Sequence, residues 1–462
     1  MREIFGDLLL SNKKIFFIGF VIFIFFVLFN TFDHHYIDTG DYSRVINGAL
    51  NYDFPAQRLD FFSLKIKDHF SKFDYFSSYT LIVYGLAWVV SFFSETFNIK
   101  IVASVLKALY IVVLFKIYSF YFKEKNLLNL MIFILASLPL LSSANIGIFS
   151  SYYQEQLVLI LLPVFLIGFF ADTMKGFFIS LLSILIIATA KSQFFYLPVL
   201  TLFFYVLFSR DKILKKLIFL IFVQIIAIYT AFSSTVAVNL NKYHSEYFGL
   251  YQYQKLNGKK IDDKAKDHCI GVDAWGHKFD IELGAISTDI GGGCIEGNSN
   301  YSHKKIINYF LNNPLDIIYL LFDKAANKQV REDYFHVYHN NKIIVDKDGI
   351  FQNIKNIKDK VFLDRKMALI LLVFLSSAVF YKNKHARIIM FLSLFSISQL
   401  YVSFFGEGYR DLSKHLFAMN FSFDLILFLL SIAIFSWIRN ITSDYRSRRE
   451  SNQTHLSLGV AK

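Results

Sequence analysis

"SSYTLIVYGLAWVVSFFSETF", residues 77–97, is apolar enough to enter a bilayer, and whether it crosses decides the topology of the whole chain. Ten other apolar blocks accompany it, at 15–31, 101–121, 127–143, 156–172, 176–190, 194–209, 213–233, 366–381, 387–404 and 418–437. A helix needs about 20 apolar residues to cross the hydrocarbon, and most of these blocks approach that length. Basic segments separate them: "KEK" at 123–125, Lys175, "SRDKILKK" at 209–216, "YKNKHAR" at 381–387 and the tail "RNITSDYRSRRE" at 439–450. The positive-inside rule puts all of these in the cytoplasm with Lys13 and Lys14. That demands an even number of crossings between residues 14 and 123, where three blocks lie. Block 77–97 is the most polar of the three, with Ser77, Ser78, Trp88, Ser91, Ser94 and Glu95, so it is expected to lie along the interface. The alternative is that it crosses and one loop breaks a statistical rule.

Composition supports the membrane reading. Of 462 residues, 55% are hydrophobic and 18% aromatic, the mean hydropathy is +0.43, and only five prolines are present. In lipid each backbone polar group must be satisfied within its own segment, which favours helices. The expected fold is an all-α polytopic membrane protein. It has about ten transmembrane helices, an interfacial juxtamembrane helix and a mixed α/β periplasmic loop domain. The net charge of +12 does not point to nucleic acid, because the basic residues sit in short inter-helix loops, where they set topology and meet anionic lipid. The first apolar run is too long for a signal peptide and lacks a small-residue cleavage site, so it is expected to remain as an anchor.

Four regions follow: a transmembrane module at 1–233 whose first outer loop is 32–100, a large outer loop at 234–365, C-terminal spans at 366–438, and a basic cytoplasmic tail at 439–462. Ten crossings leave both termini in the cytoplasm. The large loop holds the only two cysteines, in "CIGVDAWGHKFDIELGAISTDIGGGC" (269–294). Two cysteines on an oxidising face suggest a Cys269–Cys294 disulfide. "WGHKFDIEL" alternates as a strand would. "DIGGGC" lacks the Lys-Ser/Thr of a phosphate loop.

Every polar cluster with chemical promise falls on the outer face. In "DTGDYSR" (38–44), Asp38 and Asp41 would sit near a helix start, where the dipole favours anions, with Arg44 one turn on. The alternative is an N-cap and a solvated loop. Glu155 in "SSYYQEQ" (150–156) stands at the outer entry of a span. Lys191 and Gln193 in "AKSQ" (190–193) lie in a hairpin too short to leave the membrane surface, although snorkelling alone would explain the lysine. In "EGYRDLSKHLFAMN" (407–420), Arg410, Lys414 and His415 can converge near one helical turn and suit a phosphate. Glu407 and Asp411 accompany them. A basic interfacial anchor is the plainer reading. Lys107 and Lys116, inside the second span, are expected to snorkel. His34 and His35 are adjacent and lack a second histidine cluster, so no metal site is expected from them. A hard divalent cation on the carboxylates suits the residue types better.

These motifs, in this order and on one face, resemble the bacterial multi-pass glycosyltransferases of the GT-C superfamily, and within it hexose transferases that decorate O-antigen or other surface glycans. The likeness runs from about residue 33 to 424 through short motifs, and the 234–365 loop carries none of them. It implies an interfacial helix in the first outer loop. It also implies transfer of a sugar, expected to be glucose, from a polyprenyl-phosphate carrier to an acceptor glycan at the outer face of the inner membrane. The first-loop acid of such enzymes falls on Asp38 or Asp41 and the second on Glu155. A glycosyl phosphate leaves as a stabilised anion, so it needs charge neutralisation, for which Arg44, Lys191, Arg410, Lys414 and His415 are the candidates, with Gln193 beside them as a phosphate-binding residue. The sugar hydroxyl needs a base, the role of either aspartate. A flippase would place polar residues and helix breaks at mid-membrane, whereas these spans are nearly all Phe, Ile, Leu and Val. A lipid-linked glycan polymerase or ligase using diphosphate donors is the remaining alternative.

Overall fold

Long runs of Phe, Ile, Leu and Val without charge leave the backbone one way to satisfy itself in lipid, and the chain is helical wherever they occur. The structure, a computed structural model, describes residues 2–36, 38, 40–52, 61–73, 75–171, 173–208, 212–233, 235–274, 277–278, 286–287, 291–295, 301–332 and 349–459. The first long helix is α1 (Arg2–Asn30), and after it the outer loop carries the short α2 (Tyr42–Ile46) and then α3 (Ser78–Ser91). Next come α4 (Ile99–Tyr118), α5 (Leu127–Ser137), α6 (Ser143–Ile146), α7 (Gln156–Ala171), α8 (Met174–Ala190), α9 (Leu197–Phe208) and α10 (Ile213–Ala231).

The large outer loop contributes α11 (Thr235–Tyr243), a π-helical stretch at His244–Leu250, α12 (Tyr251–Leu256), α13 (Gly291–Ile295), α14 (His303–Asn312), α15 (Pro314–Leu321), α16 (Lys324–Lys328) and α17 (Ile350–Phe362). The chain closes with α18 (Lys366–Val379), α19 (Lys384–Glu407), α20 (Leu412–His415) and α21 (Phe417–Gly459). Two small antiparallel pairs complete it: β1 (Ser63–Lys65) with β2 (Thr96–Asn98), and β3 (His277–Lys278) with β4 (Ile286–Ser287).

A helix fills each stretch expected to span, but their lengths are uneven. Among the described residues, five are long and apolar enough to cross a membrane: Asn12–Asn30, Ile99–Tyr118, Ile213–Ala231, Lys384–Glu407 and Phe417–Arg439. The pair Leu127–Leu141 and Ser143–Ser150, bent by 68°, makes a sixth if it is one span. The segments at 156–171, 174–190 and 192–208 are shorter apolar helices. This is a multi-pass membrane protein. Helix α3 rises about 21 Å over its 14 residues, the same length as α18. It starts at an N-cap, Ser77, whose hydroxyl accepts from Thr80 N, and Ser78 Oγ donates to Ile186 O at 2.6 Å, which fastens it to the last turn of α8.

The large loop is mostly helical where described; within "WGHKFDIEL" the described residues, His277 and Lys278, form β3, as the alternation predicts, and pair with β4. Positions 275–276 and 279–285 lie outside the described residues. Cys269 and Cys294 form the expected disulfide, with Cα atoms 5.7 Å apart. The loop shares its core with the spans: Tyr243, Phe248, Phe310 and Leu320 belong to one buried cluster with Ile370, Leu400, Phe404 and Phe423. Helices α7 and α8 pack closely, where a Cβ on Gly168 would come within 2.4 Å of Gly176 O, and the reverse. Small residues permit this kind of membrane-helix contact. Lys107, expected to snorkel, is buried and donates to Thr31 O at 2.6 Å, closing the outer end of α1.

One polar network was not foreseen. Asp424, inside α21, takes Lys358 Nζ at 2.5 Å and Asn145 Nδ2 at 2.8 Å. Lys358 also meets Glu332 at 2.8 Å, and Lys366 reaches Glu332 at 3.6 Å and Asn420 Oδ1 at 2.7 Å. All four charged side chains are buried, and they fasten α17 to α21 and to the break at 138–146. Removing one partner of such a set strands the others' charge. Lys358→Met is therefore expected to cost about 3–5 kcal/mol. Adding Asp424→Leu should restore part of it, since Glu332 keeps Lys366. Thermal unfolding of the detergent-purified variants measures both.

Candidate active site

The first outer loop is organised by Asp38. Its Oδ1 accepts from Gly40 N at 2.7 Å and Tyr42 N at 3.1 Å, and its Oδ2 accepts from the Tyr52 hydroxyl at 3.0 Å. This short-range side-chain-to-backbone bonding turns the chain into α2. Asp38 is buried, and burial raises its carboxyl above the ordinary value against the pull of those bonds. Tyr42 is buried among the rings of Phe61, Tyr152 and Tyr153, which join this loop to the "SSYYQEQ" segment.

Asp41 has different company. It stands at the start of α2 without capping it, and its side chain keeps 20% exposure. Arg44, one turn on, pairs with Oδ1, and Lys414 Nζ lies 3.1 Å from Oδ2. The second contact links positions 373 residues apart. Burial alone would raise the Asp41 carboxyl; Lys414, Arg44 and Lys191 outweigh it and hold it well below the usual carboxylate range. The structure thus separates two aspartates that sequence leaves equivalent: Asp38 has both oxygens committed to the loop, while Asp41 faces the cations and stays partly exposed.

The other predicted residues converge on the same place. Lys191 Nζ lies 2.5 Å from Glu155 Oε1, with Glu155 almost wholly buried at the start of α7. Lys191 ends α8 in extended backbone, so its amine turns back toward Glu155. Its charge acts on Asp41 and His415 as well. Gln193 Oε1 is 3.1 Å from His415 Nδ1, and His415 Nε2 is 3.4 Å from Glu407 Oε2. Burial pushes the His415 imidazole down, and the Glu407 carboxylate pulls against it.

Between α19 and α20 the backbone turns through two left-handed residues, Gly408 (φ 67°) and Asp411 (φ 48°). A Cβ on Gly408 would come 2.3 Å from the Phe248 carbonyl, so only glycine lets the π-helical stretch of the large loop sit against this turn. Tyr409 N donates to Phe248 O at 3.0 Å there. Arg410 precedes α20 and meets Glu407 at 2.7 Å and Asp273 at 3.1 Å, and Lys414 adds Asp411 at 3.1 Å. Burial would raise Asp411, and the Lys414 and Arg410 charges hold it low.

Every cation of the cluster is therefore already matched: Arg44 and Lys414 to Asp41, Lys191 to Glu155, Arg410 to Glu407 and Asp273. A phosphate entering here must compete with carboxylates for its donors. Asp273 escapes a reading of the sequence, because nothing marks it among the loop's acids. Asp424 did carry a signal, an ionisable residue inside an apolar run. Among the described residues, the one group with three metal-ligand atoms close together is His268, Cys269 and Cys294, whose cysteines are bonded to each other. It includes neither Asp38 nor Asp41.

Opposite this face, Glu124 pairs with Arg439 at 2.6 Å, and Lys384 donates to Phe170 O. The basic loops thus gather at the other end of the bundle from Asp41 and Lys414. With that two-ended arrangement established, comparison with known proteins adds the lineage. Residues 2–456 match the family described as the YfdI N-terminal transmembrane domain. The chain belongs to the YfdI family. A relative from Escherichia coli (strain K12), named "Uncharacterized protein YfdI", is 38% identical over 397 residues, 85% of this chain and 89% of its own length. No solved structure matches.

His244, in the π-helical stretch packed on the 406–410 turn, accepts from Ala274 N at 3.0 Å through Nε2. Burial, aided by the Arg410 charge, lowers it to about 3. The unfolded chain takes up this proton below its ordinary value of about 6.5 while the folded chain does not. Its contribution to stability is therefore full above that value and declines as pH falls. The loss reaches about 2 kcal/mol at pH 5. His244→Gln keeps an acceptor for Ala274, and its thermal midpoint should drop less than the parent's between pH 7 and pH 5.

Proposed function

We propose that this YfdI-family chain is a membrane glycosyltransferase. It moves a hexose, glucose by the resemblance of its motifs, from a polyprenyl-phosphate carrier to a surface glycan such as O-antigen. It acts at the outer face of the inner membrane, with ten crossings and both termini in the cytoplasm. The observation that carries the reading is the Asp41 cluster: an accessible carboxylate between two cations at the outer ends of the spans, beside Glu155–Lys191. Such a site suits a phosphate whose lipid tail stays in the bilayer. The gathering of the basic loops at the opposite end supports the orientation.

In this reading the acceptor hydroxyl oxygen attacks the anomeric carbon as the bond to the phosphate oxygen breaks. The electron pair leaves with the phosphate, and the hydroxyl proton passes to Asp41. A single direct displacement inverts the anomeric centre. Lys414 and Arg44 have two tasks in sequence. Without donor they hold Asp41 as a weak base. When the phosphate arrives it draws them away, so the carboxylate gains basicity only once a leaving group is in place. Lys191 and Arg410 add to the field that stabilises the departing phosphate. Asp38 acts on the loop rather than on substrate.

Asp41→Asn should lower transfer from a polyprenyl-phosphate hexose by at least about 100-fold, the usual contribution of a positioned base, while membrane insertion persists. Asp38→Asn should lower activity together with thermal stability, because it disturbs the loop. Assay of purified protein with monophosphate- and diphosphate-linked donors checks the reading. Full activity of the Asp41 variant would remove the base, and turnover of the diphosphate donor alone would point to a polymerase or ligase.

A further inference from the structure

We propose that the large outer loop is a membrane-surface element: α15 and α17, with the adjoining turn of α14, rest in the outer leaflet and take lipid acyl chains as their partner. This depends on the placement of the spans and not on the proposed transfer.

Helix α15 has its polarity reversed relative to a water-facing helix. Its one charged residue, Asp316, is buried, 2.5 Å from Lys259 Nζ and accepting from the Tyr309 hydroxyl at 2.6 Å. Leu315, Ile318, Tyr319 and Phe322, spaced i, i+3, i+4, i+7, form one stripe, and each is more than half exposed. Exposed Ile307 and Leu311 of α14 lead into it. On α17, exposed Ile350, Ile357 and Val361 share a stripe with half-buried Ile354. That stripe adjoins the buried side of Phe351 and Lys358, and Asn353, Asn356 and Lys360 take the remaining arc. The apolar arc is therefore wider than the protein covers, the pattern of a helix lying in an interface.

Depth identifies the occupant. The Tyr401 hydroxyl donates to Ile317 O at 2.7 Å, and Tyr401 lies six residues inside the end of α19, about 9 Å along the helix. Phe310 of α14 packs on Phe405, with ring centroids 5.2 Å apart. Phe351 of α17 meets Phe26, four residues inside α1, and Lys358 reaches Asp424, seven residues inside α21. Both helices thus lie beside the flanks of spans rather than above them, at a level where Phe29 and Phe26 are themselves exposed. Two separate apolar stripes at that level are covered together by the leaflet. A protein bound to one would leave the other bare.

The two native cysteines are bonded to each other, so single cysteines can be labelled selectively. Nitroxides at Leu315→Cys, Ile318→Cys and Ile357→Cys, in the full chain in phosphatidylethanolamine–phosphatidylglycerol vesicles, should collide with oxygen several-fold more than with a water-soluble nickel chelate. The order should reverse at Lys264→Cys, on an exposed part of the same loop. Preference for nickel at the first three would overturn the proposal by making the stripes water-facing. Protection from both reagents would overturn it too, by showing a protein cover, a second copy included. A second variant guards against a label that disturbs packing: Tyr319→Trp should add fluorescence that bromine-substituted acyl chains quench, and an unquenched increment would count against the leaflet.

Discussion

Charge beside hydrocarbon has few options, and most of this architecture depends on that constraint. A carboxylate or ammonium group at the lipid edge must find water, an opposite charge or a backbone partner. Asp41 finds Lys414 across 373 residues of sequence, and Lys191 finds Glu155. These pairs tie the first outer loop, the α8–α9 hairpin and the turn before α21 into one surface. The partners come from the ends of different helices, all at the end of the bundle away from the Glu124–Arg439 pair.

The same rule operates deeper in the bundle with a different result. Lys358, Glu332, Asp424 and Lys366 pair with one another inside the protein, and no residue of that set is exposed. A matched buried set of this kind fixes geometry more than it adds stability. It anchors α17, which flanks the break at 138–146. Tyr36 of the first outer loop also donates to Ala144 O in this break. The internal network and the outer cluster are therefore two ends of one connected region. The cluster at the first loop keeps the Asp41 side chain partly exposed, and this difference in exposure is why the proposed chemistry is assigned to it.

The large loop alters how the site is bounded. Its π-helical stretch sits on the turn that carries Arg410, held there by the Gly408 contact, and its Asp273 completes the Arg410 pairing. It is continuous with the membrane core rather than a detached unit, since Phe310 and Phe404 share one cluster. The proposed lipid-facing stripes fit that continuity, because a loop packed on the flanks of spans exposes its outer side to the same medium as they do.

Sequence by itself determined the helical membrane character and the polar motifs whose residues the fold brings together. Those depend on local quantities: apolar run length, the distribution of lysine and arginine, and spacing along one segment. It also supported the Cys269–Cys294 bridge, since the chain offers no other pairing. Only the tertiary structure decided which aspartate is accessible. Asp38 and Asp41 are three residues apart and chemically identical, and the difference lies in Tyr52 and Lys414, contributed from elsewhere. It alone supplied Asp273 and the Lys358 network, because an ion pair between distant segments leaves no periodicity to read. And it alone showed that the candidate phosphate-binding cations already have carboxylate partners, since matching charges requires knowing where each side chain ends.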